Sequence, residues 1–238
     1  MLEILKSLLI AFFAVAVLLP VVRYALRRLS PAEHQEDMTA DELKYMQKQE
    51  LRLTVAYFFF ALVLAVFSSG VLAMVSSIIH ASKEHLHVLT PNFRAFFAPG
   101  LLLGLTLAVI PLRLVQSPLL GQEYELYKRY MVRLEGHKSN RVYNILLAVM
   151  LVLSGVVAWY AMRWHVDIGE SSIEITNLLQ ERRTYTMNEI ASIHYLGAEG
   201  EYLVTFTDNT NLNTTYLKPV QLEMIALLAE KSGQRVIR

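Results

Sequence analysis

Three histidines lie close together in one short segment and are the side chains in this sequence best suited to bind a metal. His80, His85 and His87 share the run HASKEHLHVLTPNFR, with Glu84 beside them. Imidazole and carboxylate ligands suit zinc or copper, and a strand would place His85 and His87 on one face. No second pair of closely spaced ligands follows, however, and histidines at a membrane interface are common without a metal. We therefore predict no metal site and keep these histidines only as candidate ligands.

A second candidate site is the adjacent pair Arg182 and Arg183 near the C-terminal end. Guanidinium groups bind carboxylates and phosphates through paired hydrogen bonds. The two arginines are therefore candidates for contact with anionic lipid or with an acidic protein partner.

No catalytic pattern accompanies these residues. His194 has no partnered nucleophile, and no serine lies in a nucleophile elbow or at a useful distance from a lysine. The sequence also has no glycine-rich phosphate loop. We therefore predict that the protein is not an enzyme and has no cofactor.

The composition limits the remaining classes of function. The chain of 238 residues is 54% hydrophobic, has a mean hydropathy of +0.37 and carries a net charge of +1. So small a net charge gives no field that would attract nucleic acid, and we expect no nucleic-acid partner. The absence of cysteine excludes disulfides and thiolate metal sites.

Four apolar stretches, each long enough to cross a bilayer, dominate residues 1–165 and predict a four-helix transmembrane region. They are Ile4–Val22, Leu53–Ile79, Ala95–Leu112 and Tyr143–Met162. The first pairs Glu3 with Lys6 ahead of a long apolar run, so we interpret it as an uncleaved anchor. No ionisable residue lies near the centre of a span, which disfavours pumps, ion-coupled transporters and voltage sensors.

Lysine and arginine in the loops predict the orientation. The loops after the first and third spans are rich in both residues, whereas the loop after the second has only Lys83 and Arg94. We therefore place the two basic loops in the cytoplasm. The protein is then a multi-pass protein of the bacterial inner membrane with its N- and C-termini in the periplasm.

Glycines within the spans indicate close packing of helices. Gly100 and Gly104 form a GxxxG motif in the third span, and Gly155 follows Ser154 in the fourth. Small residues let helix backbones approach closely. The contact could be within one bundle or between two copies of the chain, so a homo-oligomer stays an alternative.

The two basic loops also contain helical patterns. Thr39 and Glu42 have the spacing of a capping box, which opens a polar helix expected to run into the second span. In the other loop Tyr124, Tyr127 and Tyr130 recur at helical spacing. That helix could lie at the lipid headgroups with its tyrosines in the interface, or could simply extend a neighbouring span.

Residues 166–238 change to the alternating pattern of strands, with a final amphipathic helix. The pattern predicts a small α+β domain, a curved antiparallel sheet capped by one helix. The expected strands and helix are Ser172–Ile175, Leu178–Thr186, Ala191–Leu196, Glu201–Thr207, Asn211–Tyr216 and a helix from Pro219 to Gly233. The expected core residues are Tyr185, Ile190, Ile193, Val204, Phe206, Ile225 and Leu228.

The run from Arg183 to Ile193, RTYTMNEIASI, resembles the strand-and-turn signature of bacterial PH-like domains. Phe206-Thr207-Asp208-Asn209 occupies the place of a second motif of that family, and the terminal helix matches the helix that plugs its sheet. Met187 stands where the family often has tryptophan. The resemblance implies a binding domain that contacts proteins or a membrane surface, often on the cytoplasmic side, whereas the loop charges place it outside.

These features together predict a non-enzymatic membrane protein that anchors a small PH-like domain for protein binding or membrane-surface contact. The expected partners are membrane lipids and a protein that the sequence does not identify. One alternative is an accessory subunit of a transport, secretion or envelope-assembly complex. Another is an immunity-type protein against a toxin that acts in the periplasm.

Overall fold

The computed structural model describes residues 38–81, 87–135, 139–197 and 200–238, together with six helical residues nearer the N-terminus. The described chain divides into two compact units. One, here called the helical unit, comprises the described residues up to Ser68 and Gly100–Gly155. The other, the sheet unit, comprises Ser69–Pro99 and Val156–Arg238. The sheet unit crosses the predicted boundary at residue 165, because the ends of three helices belong to it.

Three helical stretches of the described chain are long and apolar enough to cross a membrane: Ala40–Ile79, Phe93–Glu135 and Arg141–Met162. They contain the predicted second, third and fourth spans. The predicted first span, Ile4–Val22, lies outside the described residues except for Lys6, Leu9, Phe13 and Val21, which are helical.

Helix α1, Ala40–Ile79, is a single helix that joins the predicted polar segment to the second span. The predicted capping box is confirmed at its start. The Glu42 carboxylate accepts the backbone N–H of Thr39 at 2.8 Å, and the Thr39 hydroxyl accepts the N–H of Glu42 at 3.3 Å. These two bonds pair backbone donors that the first turn of a helix leaves unsatisfied.

The second stretch consists of several pieces: helix α2 (Phe93–Leu107), helix α3 (Val109–Leu120), a 3₁₀ turn (Gly121–Glu123) and helix α4 (Tyr124–Glu135). The helix predicted to end at Leu112 therefore continues to Leu120. The interruption at Ala108 lies just before Pro111, which has no N–H to donate to the carbonyl of Leu107. The chain turns at Gly121, whose φ of 54° is in the left-handed region.

Helix α4 packs against helix α1. Tyr127 and Tyr130 are buried in a cluster with Met46 and Leu53 of α1. The Tyr130 hydroxyl donates to the Glu50 carboxylate at 2.8 Å. Tyr127 and Tyr130 therefore contact protein, because the polar start of α1 offers them an apolar face and a carboxylate.

The fourth predicted span lies in helix α5, Ser139–Met162. The predicted packing glycines differ in their surroundings. A Cβ at Gly104 would come within 2.5 Å of the Ala65 nitrogen and 2.6 Å of the Ala61 carbonyl oxygen in α1, whereas a Cβ at Gly155 would meet nothing within 4 Å. Gly100 is buried. On α5, Ser154 makes the contact instead, with its hydroxyl 3.2 Å from that of Thr106.

The described residues of the sheet unit form eight strands in two four-stranded sheets. The first sheet has the order β1-β2-β3-β4 and is antiparallel, with strands His87–Leu89, His165–Ile168, Ser172–Thr176 and Arg182–Thr186. The second has the order β7-β6-β5-β8, with β5 at Ile190–Tyr195, β6 at Tyr202–Phe206, β7 at Asn211–Asn213 and β8 at Val236–Ile237. Helix α6, Leu222–Ser232, precedes β8 and ends at Gly233, whose φ is 70°.

The predicted core of this region is confirmed, since all seven expected residues are buried. Several boundaries were wrong. Strand β4 begins at Arg182 and not at Leu178, because Asn177 closes a turn by accepting the N–H groups of Leu179 and Glu181. Pro219 precedes α6, which starts at Leu222. The sequence analysis missed strands β1, β2 and β8, and β8 pairs in parallel with β5, so the region has two sheets instead of one.

Strand β1 connects two parts of the sequence that lie far apart. It comes from the segment between α1 and α2, and it pairs antiparallel with β2, which follows α5. A hydrogen-bonded sheet cannot have a bilayer between two of its strands, because the pairing distance is about 5 Å. The segment after α1 and the C-terminal region therefore lie on the same side of the membrane.

Candidate functional site

A cavity of about 310 Å³ in the sheet unit brings together polar side chains from the end of α1, the end of α5 and the β3–β4 hairpin. It is lined by Ile79, His80, Trp159, Met162, Arg163, His165, Thr176, Gln180 and Arg182. Two of these side chains are cationic and none is acidic. This balance favours an anion over a cation as the occupant.

Two histidines form one wall of the cavity. The rings of His80 and His165 lie 4.2 Å apart between centroids, with 33° between their planes. His80 donates from Nδ1 to the carbonyl oxygen of Ser76 at 2.8 Å, and His165 donates from Nδ1 to that of Arg163 at 2.8 Å. Nε2 of His165 is 3.3 Å from a carboxylate oxygen of Asp167. These contacts fix both ring orientations.

Burial lowers the pKa of His80, and the neighbouring His165 and Arg163 lower it further, against the opposing effects of the Ser76 carbonyl and of Asp167. The neutral form of His80 is therefore favoured near neutral pH. Because Nδ1 carries its proton toward Ser76, Nε2 of the neutral ring is an acceptor.

The two candidate arginines of strand β4 have different surroundings. Arg182 pairs with Thr176 across the β3–β4 ladder and lines the cavity, while its side chain stays 71% exposed and lies 3.5 Å from Glu174. Arg183 does not line the cavity and lies near Tyr185 and Asp208. Alternation along a strand separates neighbouring side chains in this way.

Two polar atoms at the cavity have no hydrogen-bond partner among the described residues: Oγ1 of Thr176 and Nε2 of Gln180. The Thr176 residue is only 3% exposed. Leaving such a group unpaired costs about 1–3 kcal/mol, so an unpaired group beside a cavity indicates a place for a ligand atom.

Gln180 is held at the cavity by a strained turn. Its φ is 66°, which is uncommon for a residue other than glycine. The turn is closed from Asn177, whose carbonyl oxygen accepts the N–H of Gln180 at 3.0 Å. Strain of this kind is frequent where a side chain must be aimed at a site.

Of the three metal candidates, the structure describes His80 and His87, and His80 lines the cavity whereas His87 does not. His80 lies in the cavity beside His165, His87 lies on β1 opposite Ile168, and His85 is outside the described residues. Within the described ranges, no set of three histidine, aspartate or glutamate side chains has the arrangement of a metal site.

Sequence reasoning identified Arg182 and His80 as candidates but missed the rest of the site, including His165. Thr176 and Gln180 belong to a segment interpreted as ordinary strand and turn, and Arg163 was interpreted only as the polar end of a span. The spacing of Asn177 before Gln180 was the one available signal, because asparagine often closes a turn two to four residues long. Comparison of the chain with protein-family models, with curated proteins and with solved structures finds no match.

Proposed function

We propose that this chain is a non-enzymatic integral membrane protein that holds a small binding domain, the PH-like domain of our sequence analysis, against the membrane surface. The observation that carries the proposal is the pairing of β1 with β2. Strand β1 lies between two candidate spans, and β2 starts three residues after a third. The sheet unit therefore contains the ends of three helices as well as the two sheets.

Further contacts in the sheet unit reinforce this attachment. Asn92, just before α2, donates from its side chain to the carbonyl oxygens of Thr215 and Leu217 at 2.9 and 2.8 Å. Arg94 forms an ion pair with Glu201 at 3.1 Å. A hydrogen-bonded strand plus these contacts suits a domain whose binding surface must stay at a fixed distance from the bilayer.

The PH-like assignment is supported by the two sheets and by α6, whose Met224, Ile225 and Leu228 are buried in the domain core. Residues from the two sequence motifs that resemble PH-like domains also contact each other. The Tyr185 ring stacks on that of Phe206 with centroids 3.9 Å apart, and its hydroxyl donates to Asp208 at 3.0 Å. The Glu189 carboxylate accepts the N–H of Thr186 at 2.6 Å, which closes the turn between β4 and β5.

The same proposal includes four spans and a periplasmic position of the domain. The apolar stretches of the sequence support the span count, and the lysines and arginines of the loops support the orientation. Single cysteines test them, because the chain has no native cysteine. Thr207→Cys and Gln122→Cys are suitable, since both residues are exposed. An impermeant maleimide applied to intact spheroplasts should label Thr207→Cys and not Gln122→Cys. The reverse pattern would place the domain in the cytoplasm.

The strand pairing itself is tested by a cross-link. Val88 and Asp167 are register partners on β1 and β2, so Val88→Cys with Asp167→Cys should form a disulfide on oxidation. Val88→Cys with Glu174→Cys is the matched control. Glu174 pairs with Asp167 from β3 and is therefore two strands away, about 10 Å, too far for a disulfide. Equal cross-linking of the two pairs would remove the basis of the proposal.

Purification in mild detergent separates the proposal from the accessory-subunit alternative. An anchored binding module should purify as a single species. A stoichiometric set of other membrane proteins that stays bound through size exclusion would support the subunit instead.

A further inference from the structure

We propose that the polar cavity of the sheet unit binds a phosphate-type oxyanion, the group that an anionic phospholipid headgroup or a soluble phosphate presents. This inference rests on the proposed function, because it takes the cavity to lie at the membrane surface. It names the ligand class that the anchored domain would recognise there.

The unpaired groups of the cavity are donors, which is the first argument for an oxyanion. The Thr176 hydroxyl and the Gln180 amide nitrogen can each donate a hydrogen bond and have no partner among the described residues. An oxyanion with several acceptor oxygens pairs both at once. A cation would leave the Gln180 nitrogen unpaired and would add repulsion.

The charge of the cavity is the second argument. Arg163 lines it from the turn that follows α5 and Arg182 lines it from β4, so the two guanidinium groups come from different parts of the fold and can approach one ligand from two directions. Glu174 and Asp167 do not line the cavity but contact residues that do: Glu174 lies 3.5 Å from Arg182, and Asp167 lies 3.3 Å from His165. Charge-assisted hydrogen bonds from arginine are among the strongest contacts to phosphate.

The place of the cavity favours a lipid as the source of the oxyanion. Trp159, in the last turns of α5, lies in the part of a span where aromatic residues meet the headgroups, and the Arg163 guanidinium lies 5.5 Å from the centre of its ring. The hairpin beside it also carries two exposed leucines, Leu178 and Leu179, the latter 76% exposed. Exposed leucines at a turn suit contact with the bilayer better than contact with water.

An apolar cavity of about 650 Å³ is lined in part by residues of the same hairpin. Leu178 and Leu179 line it with Val156, Tyr160 and Trp164 of the α5 end, while Gln180 and Arg182 line the polar cavity. One hairpin therefore contributes residues to a cationic site and to an apolar one. An anionic phospholipid has the matching arrangement, with its phosphate beside its acyl chains.

The test uses the full chain in nonionic detergent, with two probes: phosphatidylglycerol against phosphatidylcholine, followed by native mass spectrometry, and inorganic phosphate, followed by thermal shift. We expect wild-type protein to retain phosphatidylglycerol in preference to phosphatidylcholine. Arg163→Gln with Arg182→Gln should weaken that binding by about tenfold or more, because each change removes a charge-assisted donor.

Arg183→Gln is the matched control, since it removes the same charge from the neighbouring position on the same strand but outside the cavity. It should bind phosphatidylglycerol as the wild type does. Equal loss in the control and in the double variant would mean that only general surface charge attracts the lipid, and would overturn the site.

Thr176→Val separates a ligand-binding role from a structural one. Valine has nearly the same shape and removes the unpaired hydroxyl, so the variant should melt at or above the wild-type temperature without ligand and yet bind the lipid more weakly. A variant with unchanged lipid binding would show that the hydroxyl does not face a ligand.

The experiment with inorganic phosphate shows whether the bound oxyanion is a lipid headgroup or a soluble phosphate. Stabilisation of the wild type by inorganic phosphate that is lost in the double variant and competes with phosphatidylglycerol would show a site for the soluble anion as well. Lipid preference with no phosphate effect would assign the headgroup alone. If the protein shows no preference for phosphatidylglycerol and no stabilisation by inorganic phosphate, this inference is overturned. The proposed function would then be judged separately by its cysteine labelling and cross-linking.

Discussion

The two units of this chain use apolar residues in opposite ways. In the sheet unit, β6 alternates, so that Tyr202, Val204 and Phe206 are buried while the residues between them are less so. In the most apolar window of α5, only 11% of the residues are buried within the protein. Val152, near the middle of that helix, is 66% exposed.

The difference shows which solvent each unit was selected for. A strand with one apolar face gains stability by removing that face from water. A span gains nothing from burying one apolar side chain against another instead of against lipid, so its helices are joined by small residues and a few polar contacts. Equal substitutions should therefore have unequal effects in the two units, and the following predictions test that.

The largest effect is expected from a charge in the core of the sheet unit. Ile193 is fully buried, so Ile193→Asp would place an unpaired carboxylate in an apolar environment. We expect the sheet unit to unfold while the spans stay inserted. Limited proteolysis of membranes should show cleavage within residues 165–238 and a protected helical fragment.

Ala191→Asp is its control, because Ala191 is exposed on the same strand. Its proteolysis pattern should match the wild type. If Ile193→Asp also lost membrane insertion, the two units would not be independent, and the comparison would fail.

The second prediction concerns the helical unit, where small residues should matter more than apolar area. Gly104→Leu would force side-chain atoms into the backbone of α1 at Ala61 and Ala65. We expect a loss of about 1–3 kcal/mol in stability, as for overpacked cores, measured as a lower melting temperature in detergent. Gly155→Leu adds the same side chain in open space and should leave the melting temperature unchanged. An equal loss in the two variants would contradict this account.

The third prediction compares buried hydroxyls in the two units. Thr214 accepts the backbone N–H of Tyr202 at 2.7 Å, so Thr214→Val leaves that N–H unpaired, at a cost of about 1–3 kcal/mol. Thr106 contacts Ser154 at 3.2 Å within the helical unit, and losing such a contact costs only about 0.6 kcal/mol on average. Melting temperatures of the two variants in the same detergent show which substitution lowers stability more. A larger loss for Thr106→Val would reverse the comparison.

The two units were also predictable from sequence to different extents. Spans are read from length and apolarity, which are local properties, and α1 and α5 contain the predicted stretches. The core of the sheet unit followed from local alternation for the same reason. Strand β1 could not be predicted, because three residues acquire strand structure only by pairing with β2, far along the sequence.

The candidate site was predicted only where its residues stood out in type. Arg182 and Arg183 are equivalent in sequence, and only the register of β4 against β3 separates them. The contact between His80 and His165 depends on the ends of two helices that the sequence places 85 positions apart. Thr176 is a candidate because its hydroxyl has no hydrogen-bond partner among the described residues. A sequence does not show which hydroxyl groups are unpaired.

The smallest effect is expected from a change of pH that titrates His80 in the sheet unit. Burial holds the pKa of His80 below its ordinary value of 6.5, with His165 and Arg163 acting in the same direction and the Ser76 carbonyl and Asp167 opposing. At pH values between the pKa of His80 in the folded protein and 6.5, the unfolded chain binds a proton at His80 that the folded chain does not bind. The stability that His80 contributes is therefore complete above about pH 6.5 and is lost as the pH falls toward the folded pKa. His80→Asn keeps a donor for the Ser76 carbonyl and cannot titrate, so its melting temperature should fall less than that of the wild type between pH 7.5 and 5. Parallel melting curves for the two proteins across that range would show that His80 is not held neutral by its surroundings.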